Sequence, residues 1–275
     1  MGKKAKSHIA APATPKKDWM HMLPSWLPLA GWADWVCRFA GKFEHAVNAA
    51  AAPLPSPRIK LWLAGYFHPE QTYEKVEKNA SLAGLVGNLI LFYIAYSSIF
   101  FLFMLALTSS LSSEDLLLMG LQKHPDIAKI ALESLVIGPI VSAFSALFAF
   151  ALVFASARIL GGNGTYVRQA NSMSLVLCGS NMLLLAFMCV AFAILMPAFA
   201  LKDFAFVGTI VSILTAIANV PVLLLCLLIL LYSIYSHYLV VKRAHGLTAW
   251  RAAGAIAIAA VAVVLIDMAL NAAFA

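Results

Sequence analysis

Arg158 and Arg168 bracket a stretch that reads Gly161-Gly162-Asn163-Gly164. Backbone N–H groups in a glycine-rich turn can cradle a phosphate, and flanking guanidiniums can hold its charge. A dinucleotide or P-loop fingerprint also needs a strand before the glycines, and the P-loop needs Lys-Ser/Thr after them. Thr165-Tyr166-Val167 stands there instead. The stretch therefore reads as a chain reversal. Gly161 caps a helix in the left-handed region, and Gly162-Asn163-Gly164 tolerates positive φ where other residues would be strained. Arg158 and Arg168 then lie at the headgroup level, in reach of lipid phosphates.

The remaining reactive side chains do not assemble into a catalytic set. His8, His21, His45 and His68 precede the apolar runs, His124 and His245 fall in loops, and His237 lies near the end of an apolar run. There is no HExxH, and no pair of His or Cys has zinc-ligand spacing within one element, so neither metal nor cofactor is expected. Cys178, Cys189 and Cys226 sit in apolar runs, where cysteine packs as a small hydrophobe, and Cys37 is open to acylation. No GxSxG elbow or paired carboxylate occurs. The chain reads as non-enzymatic.

A few polar groups interrupt apolar segments and raise the possibility of a transport path. Asp267 is the one acidic residue within such a segment, at ~24 Å beyond Arg251 by helical rise, which puts it near the far border. Asn88, Asn181 and Asn219 lie deeper and are suited to hydrogen bonds between helices. They motivate an alternative reading, a small-molecule or ion permease. No inverted repeat accompanies them.

What must position these residues is a membrane. Hydrophobic residues make up 63% of the 275 positions and charged residues 11%, far from the mix of soluble domains. Charge-free runs cover 81–113, 134–157, 169–201 and 204–241, and a last one begins at Ala252. Each of the first four exceeds the ~20 residues that a helix needs to cross the hydrocarbon layer. These predict an all-α polytopic protein with five spans, at about 82–111, 134–158, 170–200, 204–241 and 249–273. The fourth run is long enough to tempt a division at Pro221. An even number of spans would strand Lys242, Arg243 and Arg251 on the outer face, against the positive-inside rule. With one helix there and the amino terminus inside, only Lys123, Lys129 and Lys202 lie outside. The sequence thus predicts a cell-membrane protein with a cytoplasmic amino terminus, an extracytoplasmic carboxyl terminus and a kink at Pro221. Between the first two spans, Ser113 and Pro125 predict two short helices.

Ahead of the spans, residues 1–17 combine five lysines with Ala, Pro and Ser and no apolar h-region, the composition of a basic disordered tail. Residues 18–52 contain a helical stripe of Trp32, Trp35, Phe39, Phe43 and Val47 with Arg38, Lys42 and His45 opposite. That is an amphipathic helix suited to the headgroup boundary or to the bundle surface. Pro53, Pro55 and Pro57 predict an extended linker over 53–68. A membrane domain comes next, over 69–275, with Pro69 as its first helical residue. Small residues repeat at Gly138, Ser142 and Ala146 and at Ala80, Gly84 and Asn88, for packing within the bundle or between copies.

Three stretches have a family likeness. His68-Pro69 with Thr72-Tyr73-Glu74-Lys75-Val76, then Gly161–Gln169, then His245–Ala253, occur in the order and at the spacing of the Yip domain family of five-span membrane proteins, which the chain resembles in a prokaryotic form. The resemblance implies the five-span fold and a role in membrane organisation or trafficking. The aspartate-leucine-tyrosine-glycine-proline motif of eukaryotic members, associated with Rab-type GTPases, is absent, so no GTPase partner is implied. The expected function is a membrane scaffold whose basic leading segment, with 11 basic against 6 acidic residues, meets anionic lipid headgroups or a protein partner, with Arg158, Arg168, Lys242 and Arg243 as further headgroup contacts. A homo-oligomer, or a place as accessory subunit in a membrane complex, fits the same features. Nothing points to nucleic acid.

Overall fold

The computed structural model describes Lys42, His45 and residues 57–110, 131–200 and 205–274. The tail at 1–17, all of the 18–52 segment except Lys42 and His45, and most of the loop at 112–133 lie outside the described residues. The chain divides into two units, residues 1–54 and 55–275. In the first, Lys42 and His45 are both helical and exposed.

The described residues of the second unit form seven α-helices and no strand: α1 Pro57–Phe67, α2 Pro69–Glu77, α3 Leu82–Ser110, α4 Gly138–Ile159, α5 Tyr166–Ala200, α6 Ala205–His245 and α7 Ala249–Phe274. A π-helical turn, Glu133–Ile137, leads into α4, with the Gly138 N–H reaching the Glu133 carbonyl just before Pro139, which has no N–H to offer. Five helices, α3 to α7, are long and apolar enough to cross a bilayer. Their outward faces are apolar too: Leu102, Phe144, Ile217 and Leu223 are each more than 60% exposed. Soluble proteins rarely show apolar surface on that scale, and lipid accepts it. The predicted all-α, five-span architecture is the one observed.

Pro221 lies inside α6, which runs unbroken for 41 residues. One helix, not two, occupies the long fourth run. Of the small-residue stripe on α4, Ala146 is buried and Gly138 and Ser142 are half-buried; the inward face of the helix is Ala143, Ala146, Phe150 and Val153, and α4 is packed against α7, whose own inward face is Ala252, Ala255 and Ala259. Alanine on alanine lets these two backbones approach closely.

The prolines at 53–57 mislead at their last member. Residues Pro57–Phe67 are helical, not a linker, because Pro57 occupies the first helical position, where its missing N–H costs nothing. α1 has an apolar stripe at helical spacing, Ile59, Trp62, Leu63, Tyr66 and Phe67, and packs it into the bundle, chiefly against α5. The two helices run antiparallel. Gly65 meets Leu175, where a Cβ would come within 2.6 Å of the Leu175 Cβ, and Gly179 meets Trp62 and Tyr66, where a Cβ would lie 2.5 Å from the Trp62 carbonyl oxygen. Trp62 stands edge-on to Phe92 at 5.4 Å between ring centres. Its indole N–H donates to Asn88 Oδ1 at 2.7 Å, and Asn88 Nδ2 donates to Ser174 Oγ at 3.2 Å. Tyr66 donates to the Ile229 carbonyl at 2.9 Å, while Ser236 donates to the Tyr66 carbonyl and Tyr232 to the Phe67 carbonyl, both at 3.0 Å. Gly179 lies about 16 Å along α5 from Arg168 at ~1.5 Å per residue. α1 therefore runs alongside the spans rather than across their ends.

Candidate functional site: the glycine hairpin and its cleft

Helices α4 and α6 end in the same way, side by side. At the end of α4, Gly161 adopts φ 89°, its N–H reaches the Arg158 carbonyl at 3.1 Å, and the Gly162 N–H reaches the Ala157 carbonyl at 2.9 Å. That is a Schellman cap, with glycine where a side chain would strain. At the end of α6, Gly246 adopts φ 63° and the Leu247 N–H reaches the Lys242 carbonyl at 3.1 Å. The turn expected from Gly161, Gly162 and Gly164 is thus present, with a second, unexpected one beside it at Gly246.

His245 joins the two. It is the last residue of α6 and only 2% exposed, not a loop residue, because its ring fills the space that the hairpin glycines leave. A Cβ on Gly162 would come within 2.6 Å of its Nδ1, and one on Gly164 would collide with the Ala244 carbonyl. The Gly164 N–H donates to His245 Nδ1 at 3.2 Å, and the Asn163 N–H donates to the His245 carbonyl at 3.3 Å. A backbone N–H can only donate, so Nδ1 accepts and the ring proton belongs on Nε2. Nε2 in turn lies 2.6 Å from Oε1 of Gln169, a fully buried side chain. The Gln169 amide continues to the Met173 sulfur at 3.1 Å. Each polar atom of this chain has a partner, as burial demands.

Helix α2 closes over the outer side of the hairpin. Pro69 is its first residue, as the sequence predicts, and Thr72 and Tyr73 are buried beneath it. Glu77 accepts from Arg168 at 2.9 Å, and Glu74 accepts from Arg243 at 2.6 Å. Burial, and then the Glu77 charge, raise the Tyr73 phenol above its ordinary range, while Arg168 and Arg243 pull the other way. Between α2, the hairpin and the end of α6 lies an open cleft of about 380 Å³, with Tyr73, Glu77, Asn163, Thr165, Arg168 and Arg243 on its walls.

The other expected residues are dispersed. Arg158 is exposed and donates to the Gly162 carbonyl at 3.2 Å, and Lys242 is half-buried. Asn88 bridges helices as expected, to Trp62 and Ser174. Asn219 instead donates to Thr215 on its own helix at 2.9 Å. Asn181 is half-buried and joins neither group. Asp267 is exposed and accepts from Asn271 at 3.3 Å. None of the four is hydrogen-bonded to another. Among the described residues, no three of His, Cys, Asp and Glu are grouped to hold a metal ion.

A five-helix apolar bundle, with a short helix pinned by ion pairs over a glycine hairpin, defines a multi-pass membrane protein in contact with lipid. The Yip1 domain model matches residues 64–270, and the chain belongs to that family. The match begins at the end of α1 and takes in every span. No curated protein and no solved structure matches the chain.

Proposed function

We propose that this chain is a non-enzymatic membrane-organising protein of the scaffold or trafficking type. Its hairpin end faces the cytoplasm and engages anionic headgroups or a protein partner. One observation carries this reading: the three motif stretches, distant in sequence, meet at one end of the bundle, and Arg158, Arg168, Lys242, Arg243 and Arg251 gather there with them. Basic residues at span ends retain the cytoplasmic side and attract anionic lipid. The permease reading draws less support, because Asn88 and Asn219 are engaged in separate bonds at separate helices.

Two measurements test the proposal. A cysteine introduced at Asn163 should be labelled by a membrane-impermeant maleimide only after the cells are opened. In nanodiscs of mixed zwitterionic and anionic lipid, the full chain should enrich anionic lipid around itself, and Arg158→Gln with Lys242→Gln should reduce that enrichment. Labelling in intact cells, or an annulus indifferent to lipid charge and to salt, would remove the cytoplasmic scaffold from consideration.

A further inference from the structure

The cleft beside the hairpin holds a charge arrangement that general attraction to anionic lipid does not require. Arg168 and Arg243 each donate through a single nitrogen to a glutamate of α2, and both side chains are about half exposed, at 50% and 54%. The rest of each guanidinium fork is open. Glu77 lines the same cleft and meets Arg168 through Oε1. Two cations and a carboxylate thus face one space of about 380 Å³, among the neutral donors Tyr73, Asn163 and Thr165.

The height of the cleft says what it meets. Arg168 comes just inside the start of the span Tyr166–Ile194, and Arg243 just inside the end of Gly208–His245. Charged residues at span ends belong at the level of lipid phosphates, and both arginines hold such positions. Exposed Arg–Glu pairs are weak because water screens them, whereas guanidinium forks bind phosphate oxygens through charge-assisted, bidentate bonds. A phosphate can therefore compete for these arginines. Glu77 then sets the choice, since its carboxylate repels a bare anion unless a cation comes with it.

We propose that this cleft seats a phosphate carrying a primary ammonium, the chemistry of an aminophospholipid headgroup. The phosphate lies between Arg168 and Arg243, and the ammonium donates to Glu77. A quaternary ammonium has no N–H for Glu77, and a glycerol headgroup brings it no positive charge. The seat is pre-formed, because the Gly164–His245–Gln169 chain fixes the hairpin wall. The inference rests on the reading that the hairpin end lies in a headgroup layer, but not on which side of the membrane that layer is.

The test uses the full chain in detergent, offered equal amounts of phosphatidylethanolamine, phosphatidylcholine and phosphatidylglycerol, with retained lipid counted by native mass spectrometry. The lipid held last, after the loosely bound annulus that answers to general basic charge has been stripped, should be phosphatidylethanolamine over both others by ~10-fold. Arg168→Gln with Arg243→Gln should abolish the preference, and Glu77→Gln should shift it towards phosphatidylglycerol. Soluble competitors separate the sources. Displacement by phosphoethanolamine but not by inorganic phosphate shows that the headgroup alone is read, and displacement by neither shows that the acyl-bearing lipid is needed. Both results support the seat, whereas displacement by inorganic phosphate alone overturns it. Equal retention of the three lipids by the parent chain also overturns it. Should the double arginine variant fail to fold, Glu77→Gln decides alone, and an unshifted preference there sinks the proposal. Maleimide labelling of the hairpin in intact cells with phosphatidylethanolamine still retained would overturn the cytoplasmic scaffold and leave the seat standing.

Discussion

α5 carries two polar assemblies of opposite character. Towards its middle, against α1, Trp62, Asn88 and Ser174 form a chain of hydrogen bonds packed between helices, beside glycines that leave no room for a methyl group. Near its start, Arg168 pairs with Glu77 beside an open cleft, and Arg243 of α6 pairs with Glu74. In the first, Trp62 and Ser174 are buried and Asn88 is half-buried within an apolar span, so solvent is a poor substitute for a missing partner. The second keeps water, and solvent can take over from either glutamate. Polar contacts of similar length therefore do different work: the deep set fixes where α1 lies, and the outer set stays exchangeable.

Substitutions can break that comparison. Gly179→Val should have the largest effect, because its Cβ would come within 2.5 Å of the Trp62 carbonyl and 2.7 Å of the Tyr66 Cβ. Separating α1 from α5 should cost ~3 kcal/mol or more, read as a lowered melting temperature and fast hydrogen exchange over 57–67. His245→Phe should come next at ~2 kcal/mol, since it orphans the Gly164 N–H and the buried Gln169 carbonyl while keeping the ring volume. Asn88→Leu should cost ~1–2 kcal/mol by leaving the Trp62 indole N–H without its acceptor, and Trp62→Phe should recover part of that loss in a double-mutant cycle. Glu74→Gln should cost less than ~1 kcal/mol, an effect that fades as salt is raised. If Glu74→Gln proved as damaging as Asn88→Leu, the distinction between a deep fixed set and an outer exchangeable one would be lost.

Most of the fold was legible because lipid leaves few choices. Charge-free runs longer than a bilayer crossing announce helices, and the placing of Lys242, Arg243 and Arg251 resolved the one ambiguous run, which is the single helix α6. The hairpin turn was legible from its glycines. α1 was not, because three prolines at alternating positions outweighed the stripe of Ile59, Trp62, Leu63, Tyr66 and Phe67. That stripe at helical spacing was the signal that would have found it. The partnership of His245 with Gln169 left no trace in either neighbourhood. It joins residues 76 positions apart, and no local spacing rule reaches that far. Glu74 stood in the first motif stretch and Glu77 just beyond it, unremarked, and their pairing with Arg243 and Arg168 depends on a docking that only tertiary structure provides.

The seat of α1 also has an implication for how the chain is made. Its 11 residues leave the ribosome before any span, yet Tyr232, which binds the Phe67 carbonyl, emerges 165 positions later. At ~5–20 residues per second that is a delay of roughly 8–30 s, during which a helix too short to persist alone has no groove to enter. The contacts of α1 with α5 and α6 can close only after those later helices have emerged, so the docking of this helix trails its own synthesis.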